Sequence, residues 1–158
     1  MKNLIKKILK EETEKVFEIP SINFFPDGVE GLKKLIEDKN IKRWSLYDDL
    51  DLSDYEGDLT WLEGLVYING SLDLRFTAIK SLGNLESVNR GLNLFGTRIK
   101  SLGNLQLVGG YLNLKSTPIT SFGDLEFVGG DLWLNKFLSE RYTDKEIKKM
   151  IDVINIYR

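Results

Sequence analysis

The stretch that decides the fold is Gly70-Ser-Leu-Asp-Leu-Arg-Phe-Thr-Ala-Ile-Lys-Ser-Leu-Gly-Asn-Leu-Glu-Ser-Val88, because the chain repeats it. Related copies run from Gly91 to Val108 and from Tyr111 to Val128, and a last copy begins at Asp131. The first leucines of the copies lie 20 residues apart, at Leu72, Leu92, Leu112 and Leu132. A fixed period of this size is the sequence signature of a solenoid, in which each copy forms one coil.

Each copy contains a Leu-x-Leu segment, which alternates as a short β-strand with both leucines pointing inward. Strands that recur every 20 residues without reversing direction should stack in parallel. A threonine and a serine follow each strand, and stacking predicts ladders in which their hydroxyl groups bond to the turn backbone. Gly-Asn, Gly-Asp and Gly-Gly pairs predict the corners of each coil.

The segment Leu92-Asn-Leu94, followed by Thr97 and Ile99, resembles the core motif of the leucine-rich repeat family and, more loosely, the receptor L-domain β-helix. Two features depart from the family motif: its first leucine is replaced by asparagine or glycine, and its ladder asparagine by threonine. The resemblance covers residues 50 to 135. It implies an α/β fold, a right-handed parallel β-solenoid, and a role in protein contacts, which this family mostly mediates.

The composition limits the possible functions. The chain has 158 residues, 42% hydrophobic and 29% charged, and a net charge of −2, which is typical of a soluble globular protein. It lacks cysteine and histidine, the residues most used for soft-metal ligation and general-base catalysis. No phosphate-binding glycine loop and no bilayer-length apolar run occur. We therefore expect a cytoplasmic, non-enzymatic protein without a cofactor, a metal site or direct binding to nucleic acid or membrane.

The chain is predicted to be a single domain with capped ends. A helical N-terminal cap covers residues 1–45, the repeat solenoid 46–138 and a C-terminal cap helix 139–158. Caps are expected because the end coils of a solenoid expose apolar surface. A degenerate early copy begins at Leu50, which lies 22 residues before Leu72, so an insertion of two residues is expected within 53–58.

The N-terminal cap should contain two helices. Apolar residues recur at helical spacing from Lys2 to Phe17, which suits a cap or a basic amphipathic helix for a membrane surface or a partner groove. An extended connector is expected over 22–26, after which Asp27 would cap a second helix that ends at Asn40. The segment 44–46 then alternates as the first edge strand.

The C-terminal cap is predicted from a capping box formed by Thr143 and Glu146. The helix that begins there should bury Ile147, Met150, Ile151 and Ile154. Its lysines would form either a solubilising face or a basic docking face.

The candidate binding residues are the outward positions of the strands, because the inward leucines belong to the core. Stacking sorts them into three columns: Ser71, Gly91, Tyr111 and Asp131; Asp73, Asn93, Asn113 and Trp133; and Arg75, Phe95, Lys115 and Asn135. Aromatic residues among amides and cations are typical of interface hot spots. We therefore predict a partner-binding site at Arg75, Phe95, Tyr111, Asn113, Lys115 and Trp133. The alternative is that a terminal helix or loop covers the aromatic residues.

A second candidate surface is acidic. From Trp44 to Leu74 the chain has eight acidic residues and no lysine or arginine. The proposed patch consists of Asp48, Asp49, Asp51, Asp54, Glu56 and Asp58. A calcium loop is not matched, because Asp54 stands where the loop needs glycine. The stretch is therefore either a patch for a basic partner, an imitation of nucleic acid, or a solvated loop.

These surfaces give one main functional prediction and two alternatives. The main prediction is a protein–protein interaction module that binds through the sheet face. The first alternative is a small acidic inhibitor that blocks a nucleic-acid-binding site on its target, of the anti-defence type. The lysine-rich opening over 1–10 resembles the openings of small bacteriophage proteins. The second alternative is carbohydrate binding by the same aromatic residues together with Asn93, Asn113 and Asn135.

Overall fold

The computed structural model describes residues 15–158. The strands are β1 Phe17–Ile19, β2 Trp44–Leu46, β3 Leu50–Asp51, β4 Leu65–Ile68, β5 Leu72–Asp73, β6 Ser87–Val88, β7 Leu92–Asn93, β8 Leu107–Val108, β9 Leu112–Asn113, β10 Phe127–Trp133 and β11 Asp152–Tyr157. The α-helices are α1 Val29–Asp38, α2 Lys136–Arg141 and α3 Asp144–Met150. Short 3₁₀ turns cover Ile22–Phe24 and Thr60–Gly64.

The strands form one eleven-stranded sheet in which every pair is parallel, so the predicted parallel arrangement is confirmed. The sheet has two runs that meet in β10. The first run contains β1, β2, β4, β6 and β8, and the second run contains β3, β5, β7 and β9. The long strand β10 completes both runs, and β11 pairs with β10 along both of its halves.

Each clear repeat contributes one strand to each run. The predicted Leu-x-Leu strands form the second run, where Leu50, Leu72 and Leu92 are register partners despite the unequal spacing of the first two. This register confirms the predicted insertion between β3 and β5. In the first run, the strand predicted at 44–46 is present as β2. The run continues through a second strand in each copy, such as Ser87–Val88, which was not predicted from the sequence. Its two residues are too few to display an alternating pattern.

The core lies beneath both runs. The inward leucines of the second run are exposed by 2% or less, as predicted (Leu72, Leu92, Leu112 and Leu132). The matching residues of the first run have 0% exposure (Ile68, Val88, Val108 and Val128). Burial of each such side chain contributes roughly 1.5–3 kcal/mol, so every copy adds to the stability of the sheet.

The threonine ladder is confirmed in all three copies, and the serine ladder is confirmed in two of them. The Oγ1 atoms of Thr77, Thr97 and Thr117 each donate to the carbonyl oxygen three residues earlier, at 2.7–2.9 Å. The Oγ atoms of Ser81 and Ser101 accept hydrogen bonds from the amides two residues later, at 2.9 and 3.1 Å. These bonds satisfy backbone groups in turns that have no strand partner.

The N-terminal region follows the prediction in part. The second helix is confirmed as α1, and Asn40 ends it with a φ of 51°. Gly28 rather than Asp27 occupies the N-cap position, and the expected extended connector contains a 3₁₀ turn. Residues 2–14 of the predicted first helix lie outside the described part of the chain. Its last predicted residue, Phe17, begins a strand instead. Since β1 pairs outside β2, the segment 44–46 is not an edge strand.

The C-terminal region departs most from the prediction. The capping box of Thr143 and Glu146 is present and begins α3. The helix ends at Met150, however, and the residues that follow form β11. Met150 and Ile154 are therefore not buried; they are 45% and 63% exposed. The prediction of one continuous helix is wrong because Asp152–Tyr157 is rich in β-branched residues and the free edge of β10 accepts it as a strand.

Candidate partner-binding face

The outward residues of the second run form a central column of register partners that ends in two aromatic residues. The column consists of Asp51, Asp73, Asn93, Asn113, Trp133 and Tyr157. Neighbouring parallel strands lie about 4.8 Å apart, so each side chain is next to its successor in the column. The acidic stretch and the predicted aromatic residues therefore occupy opposite ends of the same face.

Three aromatic rings form a continuous cluster at the C-terminal end of this face. The Tyr111 and Trp133 ring centroids are 5.6 Å apart in an edge-to-face arrangement, and the Trp133 and Tyr157 centroids are 5.8 Å apart. Tyr111 and Trp133 are half-buried, whereas Tyr157 is 44% exposed. We call Tyr111, Trp133 and Tyr157 the aromatic cluster. A terminal segment does approach Trp133, but as a strand that lengthens the face rather than a helix that covers it.

Gly91 provides the space in which the Tyr111 ring lies. A Cβ atom at Gly91 would be 2.2 Å from Cε1 of Tyr111, well inside van der Waals contact. Burial raises the pKa of the Tyr111 hydroxyl, and the negative charge of Asp73 raises it further. The positive charge of Arg75 lowers the pKa of Tyr111, so both members of the Asp73–Arg75 pair act on this hydroxyl.

Phe95 belongs to a different aromatic pair. Its ring meets Phe76 edge to face, with the centroids 5.2 Å apart. Phe76 is 58% exposed and has a φ of 59°, which is unusual for a bulky residue. Phe76 is not among the predicted site residues, although it occupies the corner position at which the next copy has Gly96. A large aromatic residue in place of glycine was the available signal.

The predicted polar residues bond mainly within the protein. The Nε atom of Arg75 lies 2.8 Å from a carboxylate oxygen of Asp73. Oδ1 of Asn113 accepts a hydrogen bond from the amide of Lys115 at 3.1 Å. The same bond to the amide two residues later is made by Asp51, Asp73 and Asn93, at 2.9, 3.0 and 3.2 Å. The central column therefore fixes the backbone where the chain leaves each strand.

Asn135 does not lie on the exposed face as predicted. It is 3% exposed, and its Oδ1 caps α2 by accepting a hydrogen bond from the amide of Leu138 at 2.8 Å. Its Nδ2 donates to the carbonyl oxygen of Ile119 at 2.7 Å. The chain turns inward here because a helix needs an N-cap, and asparagine is among the preferred residues.

Most of the acidic patch is also used by the fold. Oδ2 of Asp48 accepts a hydrogen bond from Oγ of Ser21 at 2.6 Å, which lowers the pKa of Asp48. Oδ1 of Asp49 accepts one from the amide of Ser71, also at 2.6 Å. Hydrogen bonds from Ser53 and Thr60, each two residues later in the chain, lower the pKa values of Asp51 and Asp58 respectively. Asp54 and Glu56 are exposed side chains on the same loop.

The remaining features limit the site chemistry within the described chain. In residues 15–158, no three acidic side chains are grouped closely enough to hold a metal ion. None of the helices in this range has the length and apolar character that a bilayer crossing requires. No protein-family model matches the chain, and comparisons with curated proteins and with solved structures likewise find no match.

Proposed function

We propose that the parallel sheet is a right-handed β-solenoid of the leucine-rich-repeat type, with helical caps at its two ends. Support comes from the register of strands 20 residues apart, with leucine on leucine in successive copies. The N-terminal cap would include α1, and the C-terminal cap would include α2 and α3. Leu32 of α1, Leu138 of α2 and Ile147 of α3 each have 0% exposure, which is consistent with helices that cover core surface.

We propose that the protein is a non-enzymatic protein–protein interaction module that binds its partner through the outward face of the second run. The observation that carries this proposal is the aromatic cluster. Trp133 lies between Tyr111 and Tyr157, and all three rings retain exposed surface outside a core that the inward leucines already complete. Partly exposed tryptophan and tyrosine side chains contribute most of the binding energy in many interfaces.

The other two functions have weaker support. An acidic inhibitor would need carboxylates free to meet a target, but four of the six patch residues accept hydrogen bonds from the protein itself. Carbohydrate binding would need exposed asparagines, but Asn135 is buried and Oδ1 of Asn93 bonds to the backbone. We therefore treat both functions as outcomes of the test rather than as proposals.

The test compares partner capture by matched surface variants in a lysate of the source cell. The test variant is Trp133→Thr/Tyr157→Thr, because threonine suits a strand but removes both rings. The control is Leu107→Thr/Phe127→Thr, which alters two register neighbours on the outward side of the first run. Far-UV circular dichroism and thermal unfolding establish that both variants fold.

Proteins that the unchanged chain captures should be lost with the test variant and retained with the control. Equal capture by both variants would overturn the proposal. Loss of capture only in a variant with Asp49, Asp51, Asp54 and Glu56 changed to amides would favour the inhibitor. The amides keep the oxygen acceptors that the fold uses. Binding to a glycan array, with no protein captured, would favour carbohydrate recognition.

A further inference from the structure

The corners of the second run form a regular series that stops before the last coil. Each corner residue lies three positions after a residue of the central column. In the first four cases its φ is between 58° and 72° (Asp54, Phe76, Gly96 and Ser116). In the last coil, the equivalent residue is Lys136, and it begins α2 instead of making a left-handed corner. The chain therefore leaves the stack at Asn135, and within residues 15–158 Ser116 is the last corner of this series.

The interrupted series leaves one backbone donor without the bond that its equivalents make. The amides of Asp54, Phe76 and Gly96 donate to carbonyl oxygens of the next copy at 2.9, 3.0 and 3.2 Å. Within residues 15–158, the amide of Ser116 has no such acceptor, because Asn135 turns toward the core. Ser116 is an exposed residue, so its amide is a candidate donor to an acceptor from another molecule.

A groove occupies the place of the missing corner. Its volume is about 760 Å³, within the range of ligand-binding clefts. Phe95 and Phe137 contribute its aromatic surface, and Phe137 is 46% exposed. Buried Leu134 also lines the groove. Leu134 and Arg158 directly follow Trp133 and Tyr157 in the sequence, so the groove continues from the aromatic cluster.

The groove carries a positive charge that the described residues do not neutralise. Lys115 lines it, and no carboxylate of residues 15–158 is within 4.0 Å of the Lys115 ammonium. Lys136 is 3.8 Å from Glu140, and both side chains are largely exposed. The guanidinium of Arg158 bonds to Asp144 and to the carbonyl oxygen of Tyr142. Lys115 is thus a groove-lining cation that makes no ion pair within residues 15–158.

We propose that this groove binds an extended segment of the protein partner in which an aromatic side chain lies next to a carboxylate. The inference rests on the proposed function and specifies the partner. The aromatic side chain would pack against Phe95 and Phe137, since edge-to-face contacts between rings are favourable. The carboxylate would accept hydrogen bonds from the ammonium of Lys115 and the amide of Ser116, because charge-assisted bonds are the stronger kind.

The test selects short random peptides displayed on yeast against the full folded chain. The enriched peptides are then synthesised, and their Kd values are measured by fluorescence anisotropy. We expect enrichment of peptides with an aromatic residue beside aspartate or glutamate. Lys115→Glu and Phe137→Ala should each raise Kd by at least about tenfold, the size typical of a lost charge pair or anchor. Lys115→Gln, which removes the charge without reversing it, should raise Kd by less.

Two matched variants control for changes in charge and in hydrophobic surface. Lys100→Glu makes the same charge change at an exposed residue outside the groove lining, and Phe24→Ala removes a 71% exposed ring from a distant turn. Both should leave Kd unchanged. Thermal unfolding of every variant verifies that a loss of binding is not a loss of folding.

The outcomes separate the groove from the wider face. Peptides that depend on Lys115 and Phe137 but not on Trp133 would support the groove and contradict the aromatic cluster as the binding surface. Peptides whose Kd rises with Trp133→Thr but not with Lys115→Glu would overturn the groove proposal and leave the proposed function standing. Enrichment of basic peptides, or no enrichment, would overturn the groove proposal.

Discussion

The two ends of the central column use the same position of the repeat in different ways. At the acidic end, Asp51 and Asp73 accept hydrogen bonds from the backbone, so their side chains are part of the turn. At the other end, Trp133 and Tyr157 are in ring contact with each other. An aromatic side chain cannot accept the bond from the following amide that a carboxylate accepts. A polar residue at this repeated position therefore stabilises the turn, and its bonding groups are occupied before a partner is present.

The largest loss of stability should come from substitution of Asn135, the buried polar residue near the aromatic end of the central column. Asn135→Ala removes the N-cap of α2 and leaves the buried carbonyl of Ile119 without its donor. We expect the free energy of unfolding to fall by about 2–4 kcal/mol, the sum of a lost cap and an unsatisfied buried group. Urea denaturation measures this loss.

Asn155→Ala is the matched control for Asn135. Asn155 is exposed, and among the described residues its side chain bonds only to the side chain of Asp131. We expect a change within about 0.5 kcal/mol, which is usual for a surface substitution. Similar losses from the two variants would mean that Asn135 is not the structural residue that its bonds indicate.

The second effect concerns Gly91, whose missing side chain makes room for Tyr111. Gly91→Ala places a Cβ atom 2.2 Å from the present ring position, so the ring must move. We expect destabilisation of roughly 1–3 kcal/mol, the usual size for overpacking. Because the obstacle is a side chain, Tyr111→Ser should recover much of the loss, and a double-mutant cycle measures this coupling. Additive losses would exclude a ring that lies over Gly91.

Much of the sheet could be predicted from the sequence because the repeat makes one pattern visible several times. The inward leucines, the hydroxyl ladders and the parallel direction all depend on residues that recur in every copy. The first-run strands β6 and β8 could not be predicted in this way, because Ser87–Val88 and Leu107–Val108 share only the valine. β11 lies outside the repeat, and its preference for strand over helix depends on the edge of β10 that is available to it.

The candidate site was predicted less completely. Tyr111 and Trp133 were placed correctly side by side, because stacking fixes which residues are neighbours. The third member of the aromatic cluster, Tyr157, was missed because its segment was interpreted as a helix. Asn135 was misplaced because the repeat was extended one residue beyond the point where the chain leaves the stack. Both errors lie at the end of the repeat, where tertiary contacts decide the structure.

The third prediction concerns the contribution of ionised carboxylates to stability at the acidic end of the central column. Hydrogen bonds to Asp48, Asp51 and Asp58 lower the pKa of each in the folded state. The stability that these bonds provide is therefore complete above the unfolded pKa of about 4 and is lost as the pH falls through the lower folded values. We expect the thermal midpoint to fall on acidification below about pH 4, a loss that Asp48→Asn should reduce.

Asp51→Asn is the companion variant for the acidic end. An amide oxygen accepts the same bond from Ser53, as Asn93 and Asn113 do in their own copies. At neutral pH we expect a stability change within about 0.5 kcal/mol, whereas Asp51→Ala should lose about 0.5–1.5 kcal/mol with the bond. A large loss from Asp51→Asn would mean that the charge itself stabilises this end.

The smallest effect links the two ends through Tyr111, whose hydroxyl responds to the charges of Asp73 and Arg75. Burial is the main reason that its pKa is raised, and Asp73 adds to the increase. Asp73→Asn removes the negative charge and leaves the positive charge of Arg75, so the pKa of Tyr111 should fall. Titration of the tyrosine ring carbons by NMR, assigned with Tyr111→Phe, measures this change. Asp51→Asn removes a charge from the same face but not one that acts on Tyr111, so it should leave this pKa unchanged. An equal response to both variants would mean that the hydroxyl of Tyr111 responds to the net charge of the face rather than to the charge of Asp73 in particular.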